Sequence, residues 1–181
     1  NQPLNIKIME ENIPQTGKFA LNYGVLTGVI GIVFAIMLFT MNMHYDQSAG
    51  VQVTQTLILA AGIVFGILQF KKAGGGLISI SQALKVGAGV ALIAGILGLI
   101  WFFVLSNLLE PEYMDKMLEI GKVKAMSENP NLTEEQIDQG IEMQKSFAWI
   151  SYPVILIINV VIGLIVGLIT GLIVKKEEAA Y

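Results

Sequence analysis

The stretch VILIINVVIGLIVGLITGLIV, from Val154 to Val174, decides the fold of this chain. It contains no charged residue, and as an α-helix it is about 31 Å long, which matches the hydrocarbon core of a bilayer. Gly163, Gly167 and Gly171 recur every four residues and therefore share one face. In lipid, such a face lets two helix backbones approach closely. We expect it either to pack against another helix of this chain or to bind a second protein.

The composition of the whole chain is typical of a membrane protein. Of its 181 residues, 54% are hydrophobic and 14% are charged, whereas a soluble domain carries about 25% charged residues. Cysteine is absent, which excludes disulfides and thiolate metal ligands. All eleven basic residues are lysines and the net charge is −3, which argues against nucleic-acid binding.

Three further apolar runs precede the first stretch, and together they predict four transmembrane helices. The predicted spans cover residues 19–43, 53–70, 86–109 and 150–176. The fold class is therefore an all-α integral membrane protein. The second span is the shortest, because polar residues lie at its start.

Residue chemistry at the ends of the spans predicts where two of the helices begin. Ser79 or Ser81 is placed to cap the third helix. Pro153 suits the first turn of the fourth helix, where its missing N–H leaves no hydrogen bond unmade.

Glycines also mark single faces of the first two spans. Gly24, Gly28 and Gly31 follow one another at spacings of four and three in the first, and Gly62 and Gly66 lie four apart in the second. We expect these faces, like that of the fourth span, to be helix-packing or partner-binding surfaces.

Residues 110–149 form the largest segment outside the predicted spans and contain nine acidic residues and four lysines. Thr133 and Gln136 have the spacing of a capping box, after a turn at Asn129, Pro130 and Asn131. The segment is predicted to be an acidic helical hairpin between the third and fourth spans. Its apolar side is expected to lie on the membrane protein itself or on a partner.

The lysines predict the orientation of the chain. Seven of them lie in the first tail, in the connector between the second and third spans, and at the end of the fourth span. Because lysine is enriched on the cytoplasmic side, the tails 1–18 and 177–181 are predicted to be cytoplasmic and the hairpin to face outwards.

The spans contain no ionisable residue away from their ends, so the side chains of an ion relay are missing. An outward polar mouth that accepts a cationic or hydroxyl-rich group is one hypothesis. A lone histidine beside one aspartate in a turn is, however, ordinarily solvated. We expect no catalytic residue, metal or cofactor. The mouth would consist of His44, Asp46, Asn107, Glu110, Glu112 and Asn159.

Four stretches of the sequence resemble the bacterial family called domain of unknown function 4199. They are GKFALNYGVLTGVIGIV (17–33), GGLISISQALKVGAGVALIAGILGLI (75–100), EPEY (110–113) and NPNLTEEQI (129–137). The resemblance implies a four-helix protein of the bacterial inner membrane without an assigned activity. It also implies a place beside polyprenyl-phosphate glycosyltransferases.

Two functional hypotheses follow. The first is a non-catalytic accessory subunit of an inner-membrane assembly, which packs through its glycine faces against another membrane protein or a second copy of itself, among membrane lipids. The alternative is a small oligomeric transporter or flippase for an amphipathic or lipid-linked substrate. Such a transporter needs a polar path between the helices that includes Asn159 and Asn107.

Overall fold

The computed structural model describes residues 14–176, and its regular structure over this range is helical. The predicted tails fall largely outside the described residues, which exclude 1–13 and 177–181. The helices are α1 (Thr16–Thr40), α2 (Ala49–Ala73), α3 (Ile80–Val104, continued by a π-helical turn over Leu105–Leu109), α4 (Tyr113–Glu128), α5 (Glu134–Ser146) and α6 (Ala148–Val174).

Four of these helices are long and apolar enough to cross a membrane, as expected of a multi-pass membrane protein. They are α1, α2, α3 with its π-helical turn, and α6. The predicted all-helical architecture with four candidate spans is therefore confirmed.

The first span lies three residues earlier than predicted, because Asn42 ends it. Asn42 has a φ of 55°, in the left-handed region that asparagine tolerates better than most residues. Met43 N–H then donates to the carbonyl of Leu38 at 2.8 Å, a bond typical of helix ends of this kind.

The second span was predicted too short. Helix α2 has 25 residues and begins at Ala49 rather than at 53. Ser48 caps it by accepting a bond from Val51 N–H at 3.5 Å, and Asp46 in turn accepts bonds from the Ser48 N–H and hydroxyl at 2.7 and 3.1 Å. Because these side chains satisfy the free backbone groups of the first turn, the polar residues that follow are helical.

The third span also begins earlier than predicted, at Ile80 rather than at 86. Ser79 and Gln82 form reciprocal bonds, from Ser79 N–H to the Gln82 side chain at 2.9 Å and from Gln82 N–H to the Ser79 hydroxyl at 3.2 Å. Ser79, not Ser81, is therefore the cap, in the manner of a capping box.

The prediction for Pro153 was wrong, since it lies inside α6 rather than in its first turn. The helix begins at Ala148, five residues before Pro153, because the chain directly after α5 is already helical. Ile150 N–H, for example, donates to the carbonyl of Phe147 at 2.9 Å.

The described chain divides into two compact units, one of residues 14–97 and 156–176 and the other of residues 98–155. In the first unit α3 is the central helix, because it contacts α1, α2 and α6. We call the end of this unit that carries its lysines the lysine end. The core cluster lies in the halves of α2 and α3 towards that end and in the loop between them, and it consists of Ile63, Ile67, Phe70, Ile78, Ala83, Val86, Val90 and Ala91.

The second unit contains the predicted helical hairpin, made of α4 and α5. The turn at Asn129–Asn131 separates the two helices. Thr133 accepts a bond from Gln136 N–H while the Gln136 side chain accepts one from Thr133 N–H, which confirms the predicted capping box.

Candidate functional site

The glycine face of α6 packs against α3. A Cβ atom on Gly163 would lie 2.6 Å from the carbonyl oxygen of Gly87 and 2.7 Å from Cβ of Ala91. One on Gly167 would lie 3.1 Å from the carbonyl oxygen of Ala83, and one on Gly171 would lie 2.9 Å from Cβ of Ala83. Because backbone occupies the space where these side chains would be, α3 and α6 are in direct main-chain contact.

The glycines of α1 also face α3. A Cβ atom on Gly24 would lie 2.7 Å from Cβ of Ile93, and one on Gly28 would lie 2.9 Å from Cβ of Leu97.

The glycines of α2 face α1. Gly62 lies against Thr27, and a Cβ atom on Gly66 would lie 3.1 Å from Cβ of Tyr23 and 3.4 Å from Val90 of α3. Seven of the eight glycines assigned to these faces therefore lie between helices of this chain, whereas a Cβ atom on Gly31 would meet nothing within 4 Å. A role for the same faces in binding a partner has no support in these contacts.

Of the six residues proposed for a polar mouth, the first unit contains His44, Asp46 and Asn159. The His44 ring is half-buried, 4.3 Å from the ring of Tyr45 and 5.1 Å from that of Phe39 between centroids. The side chain is therefore partly exposed and lies beside two aromatic rings. Asp46 accepts the Ser48 bonds that precede α2.

Asn159 is half-buried in α6 and faces α3, since a Cβ atom on Gly95 would lie 3.1 Å from its Nδ2 atom. The absence of a side chain at Gly95 leaves the space that the amide occupies. Asn159 therefore lies at the interface between α3 and α6.

The other three mouth residues, Asn107, Glu110 and Glu112, belong to the second unit. The amide of Asn107 donates to the carbonyl of Phe103 at 2.9 Å, inside its own helix. Glu110 and Glu112 lie 2.8 and 3.9 Å from the ammonium group of Lys116. The mouth stays a prediction, and in the structure each of these side chains has a local interaction.

An aromatic cluster lies in the second unit. The ring of Tyr152 lies 5.2 Å from that of Phe103 and 6.0 Å from that of Phe102. The ring of Tyr113 lies 6.1 Å from Phe102. Burial, with a smaller effect of the Glu110 charge, raises the pKa of the Tyr113 hydroxyl above 10.0.

Lys122 joins the two helices of the hairpin. Its ammonium group lies 2.6 Å from Asp138 and 2.9 Å from Glu134, both on α5. Hydrogen bonds to Asp138 and then to Glu134 raise the pKa of Lys122 above its ordinary value of 10.5. Lys145 adds a longer contact to Asp115 at 3.4 Å.

The hairpin leaves two apolar stripes exposed. On α4 the residues Ile120, Val123 and Met126 recur every three positions, and Met143 of α5 lies four positions before Phe147, which directly follows that helix. Val123 and Met143 are 64% and 63% exposed. The apolar side predicted for the hairpin from its helical spacing included Ile120 and Phe147, but not Val123, Met126 or Met143.

The part of the chain that the structure describes contains no group of three or more histidine, cysteine, aspartate or glutamate side chains able to hold a metal ion.

Comparison with known proteins gave one match. The model of the family described as "Protein of unknown function (DUF4199)" matches residues 22–176. The comparisons with curated proteins and with solved structures found no match.

Proposed function

Since the chain belongs to the DUF4199 family, whose description assigns no activity, we propose from its geometry that it is a non-catalytic accessory subunit of a membrane assembly. In this proposal the four long helices are the anchor, and the hairpin of α4 and α5 binds the partner.

The glycine contacts support the anchoring role. Faces that serve as main-chain contacts between α3 and α6, such as that of Gly163, are occupied within the chain. The surface that binds the partner is therefore not one of the glycine faces.

The observation that carries the proposal is the exposure of large apolar side chains on a charged hairpin. Helix α4 has no buried residue among those described, and Ile137 is the buried residue of α5. Exposed apolar stripes on a polar surface are typical of protein-binding sites. The two stripes, around Val123 and Met143, would form the apolar centre of an interface with a charged rim.

Charge indicates the kind of partner. Residues 110–149 contain nine acidic side chains and four lysines, which leaves a net charge of −5. Such a surface favours a partner that presents basic residues around an apolar patch, because complementary charge steers association and excludes wrong partners.

We further propose that the lysine end faces the cytoplasm and that the hairpin faces outwards from a bacterial inner membrane. The lysine distribution supports this orientation. The polyprenyl-phosphate glycosyltransferases that the family resemblance implies are the first partners to test.

The test is recovery of a partner from the native membrane in mild detergent, with cross-linking before solubilisation. The double variant Val123→Gln with Met143→Gln should lose at least about 80% of the partner, since it places polar groups at the centre of the interface. The control is Lys124→Gln with Glu135→Gln, which changes one exposed residue on each helix and keeps the net charge.

Each outcome decides the proposal. Retention by the wild type and the control but not by the double variant supports it, provided that all three proteins have the same melting temperature. Recovery of this chain alone, or equal recovery by all three proteins, overturns it.

The alternative is a small oligomeric transporter or flippase for an amphipathic or lipid-linked substrate. The half-buried amide of Asn159 beside Gly95 favours it, because it places a polar group between two helices in the half of the first unit away from the lysine end. The amide of Asn107 instead bonds its own helix. If Asn159→Leu and Asn107→Leu both transport substrate into vesicles at the wild-type rate, the polar path is excluded.

A further inference from the structure

The fold brings the lysine pair in the last turn of α2 together with the pair that follows α6. Lys71 Nζ donates to the carbonyl of Val174 at 2.8 Å. Ile78 and Lys176 exchange backbone hydrogen bonds of 2.9 and 3.1 Å. The end of α2, the loop after it and the end of α6 are therefore tied into one structure.

Lys71 has a structural role in this arrangement. Its ammonium group bonds one of the carbonyls that no residue within α6 can satisfy, and its charge lies at the negative end of the helix dipole. Lys72, Lys175 and Lys176 are exposed beside it. We call these three residues the lysine patch.

Glu177 and Glu178 follow the lysine patch directly in the sequence but lie outside the described residues. Residues 14–97 and 156–176 contain six lysines and a single acidic residue, Asp46. Asp46 lies in the α1–α2 loop, at the end of α2 away from Lys72, and bonds Ser48. An anion at this end of the unit would pair with the ammonium groups of the patch.

The glycine N–H groups of the loop after α2 are not free to bind such an anion, so the lysines would have to bind it. The N–H groups of Gly74, Gly75 and Gly76 donate to the carbonyls of Phe70, Lys72 and Lys71. Because these N–H groups are already bonded, the loop is not a phosphate-binding nest of backbone donors.

Apolar side chains directly before the patch indicate that the anion has a hydrocarbon part. Ile173 is 77% exposed and Leu172 is 57% exposed, both in the last turn of α6. At the end of a helix long enough to cross a membrane, these side chains contact acyl chains while the lysines reach the headgroup level.

We propose that Lys72, Lys175 and Lys176 bind the phosphate headgroup of an anionic phospholipid whose acyl chains lie against Leu172 and Ile173. The site does not depend on the partner proposed above.

The experiment measures lipid retention by native mass spectrometry after extraction from vesicles of phosphatidylcholine with 30% phosphatidylglycerol. The wild type should retain phosphatidylglycerol at least about fivefold over its share of the mixture. Lys72→Gln with Lys175→Gln and Lys176→Gln should retain it in proportion to its abundance. The control, Lys116→Gln with Lys124→Gln and Lys145→Gln, removes equal charge from the hairpin and should behave like the wild type.

Three results would overturn the proposal: no preference in the wild type, an undiminished preference in the patch variant, or an equal loss in the control. If the triple variant does not fold, Lys72→Gln alone and Lys175→Gln with Lys176→Gln should each reduce the preference. Melting temperatures measured with 10 mM inorganic phosphate and with phosphatidylglycerol distinguish free phosphate from a lipid headgroup as the ligand. If it raises the melting temperature as much as phosphatidylglycerol does, the ligand is free phosphate rather than lipid.

Discussion

Gly163 and Gly31 show that the same residue type in two membrane-crossing helices can have opposite surroundings. A Cβ atom on Gly163 would meet the carbonyl oxygen of Gly87 at 2.6 Å, whereas one on Gly31 would meet nothing within 4 Å. The contact at Gly163 involves backbone, which cannot rotate away as a side-chain end can. The loss of stability on adding a Cβ atom therefore depends on what the neighbouring helix places at that position.

We expect Gly163→Ala to destabilise the protein by about 1–3 kcal/mol, the usual cost of overpacking. The matched control Gly31→Ala should leave stability unchanged or raise it by up to about 1 kcal/mol, through better helix propensity. Melting temperatures in one detergent check both. Equal behaviour of the two variants would mean that α3 and α6 are not in main-chain contact.

At the scale of elements, ion pairs join the two helices of the hairpin. Helix α4 has no buried residue among those described, so apolar burial contributes little to its position. Exposed ion pairs are individually weak, but Lys122 contacts two carboxylates of the opposite helix. Lys124 contacts Glu128 of its own helix at 3.9 Å, and this difference makes the two lysines a matched pair.

We expect Lys122→Met to loosen the hairpin and Lys124→Met to leave it unchanged. The measurement is the width of the distance distribution between spin labels at Glu119→Cys and Gln139→Cys, one on each helix. No native cysteine interferes with the labelling. A distribution that is equally narrow in both variants would contradict the joining role of Lys122.

The same distances should depend on pH. The pKa of Lys122 is raised in the folded hairpin, so its stabilising effect is complete below the ordinary lysine pKa of 10.5 and is lost as the pH rises through the folded value. Burial raises the pKa of Tyr113 as well, and this effect has the same sign. The wild-type distribution should therefore broaden at alkaline pH, and that of Lys122→Met should broaden less.

At the scale of the whole molecule, burial in the first unit is concentrated towards the lysine end. The buried core residues of α2 are Ile63, Ile67 and Phe70, in its second half, and those of α3 lie in its first half. Residues 52–57 of α2 are all exposed. Glycines and other small side chains at the lysine end let the helix backbones approach one another closely, whereas larger side chains would hold them apart.

The orientation proposed for the chain can be tested with single cysteines. A membrane-impermeant maleimide should label Gln47→Cys and Glu135→Cys from outside intact cells. It should label Lys72→Cys and Lys85→Cys in inverted vesicles but not in intact cells. Labelling of positions 47 and 72 from the same side would show that α2 does not cross the membrane.

The sequence by itself determined the features that depend on local chemistry. Four spans follow from hydropathy and the rise of the α-helix, and the capping box at Thr133 follows from bonds within four residues. The start of α3 was predicted too late: Ser79 was one of two candidate caps, but the span was taken to begin at residue 86 rather than directly after that cap.

Only the tertiary structure decided which helix each glycine contacts. The four-residue spacing of Gly163, Gly167 and Gly171 defines a face, but it contains no information about what lies on the other side. The joining of two lysine pairs, through Lys71 with Val174 and Ile78 with Lys176, likewise connects residues about a hundred positions apart. Such contacts are set by how all four helices fill space together, and no local pattern specifies them.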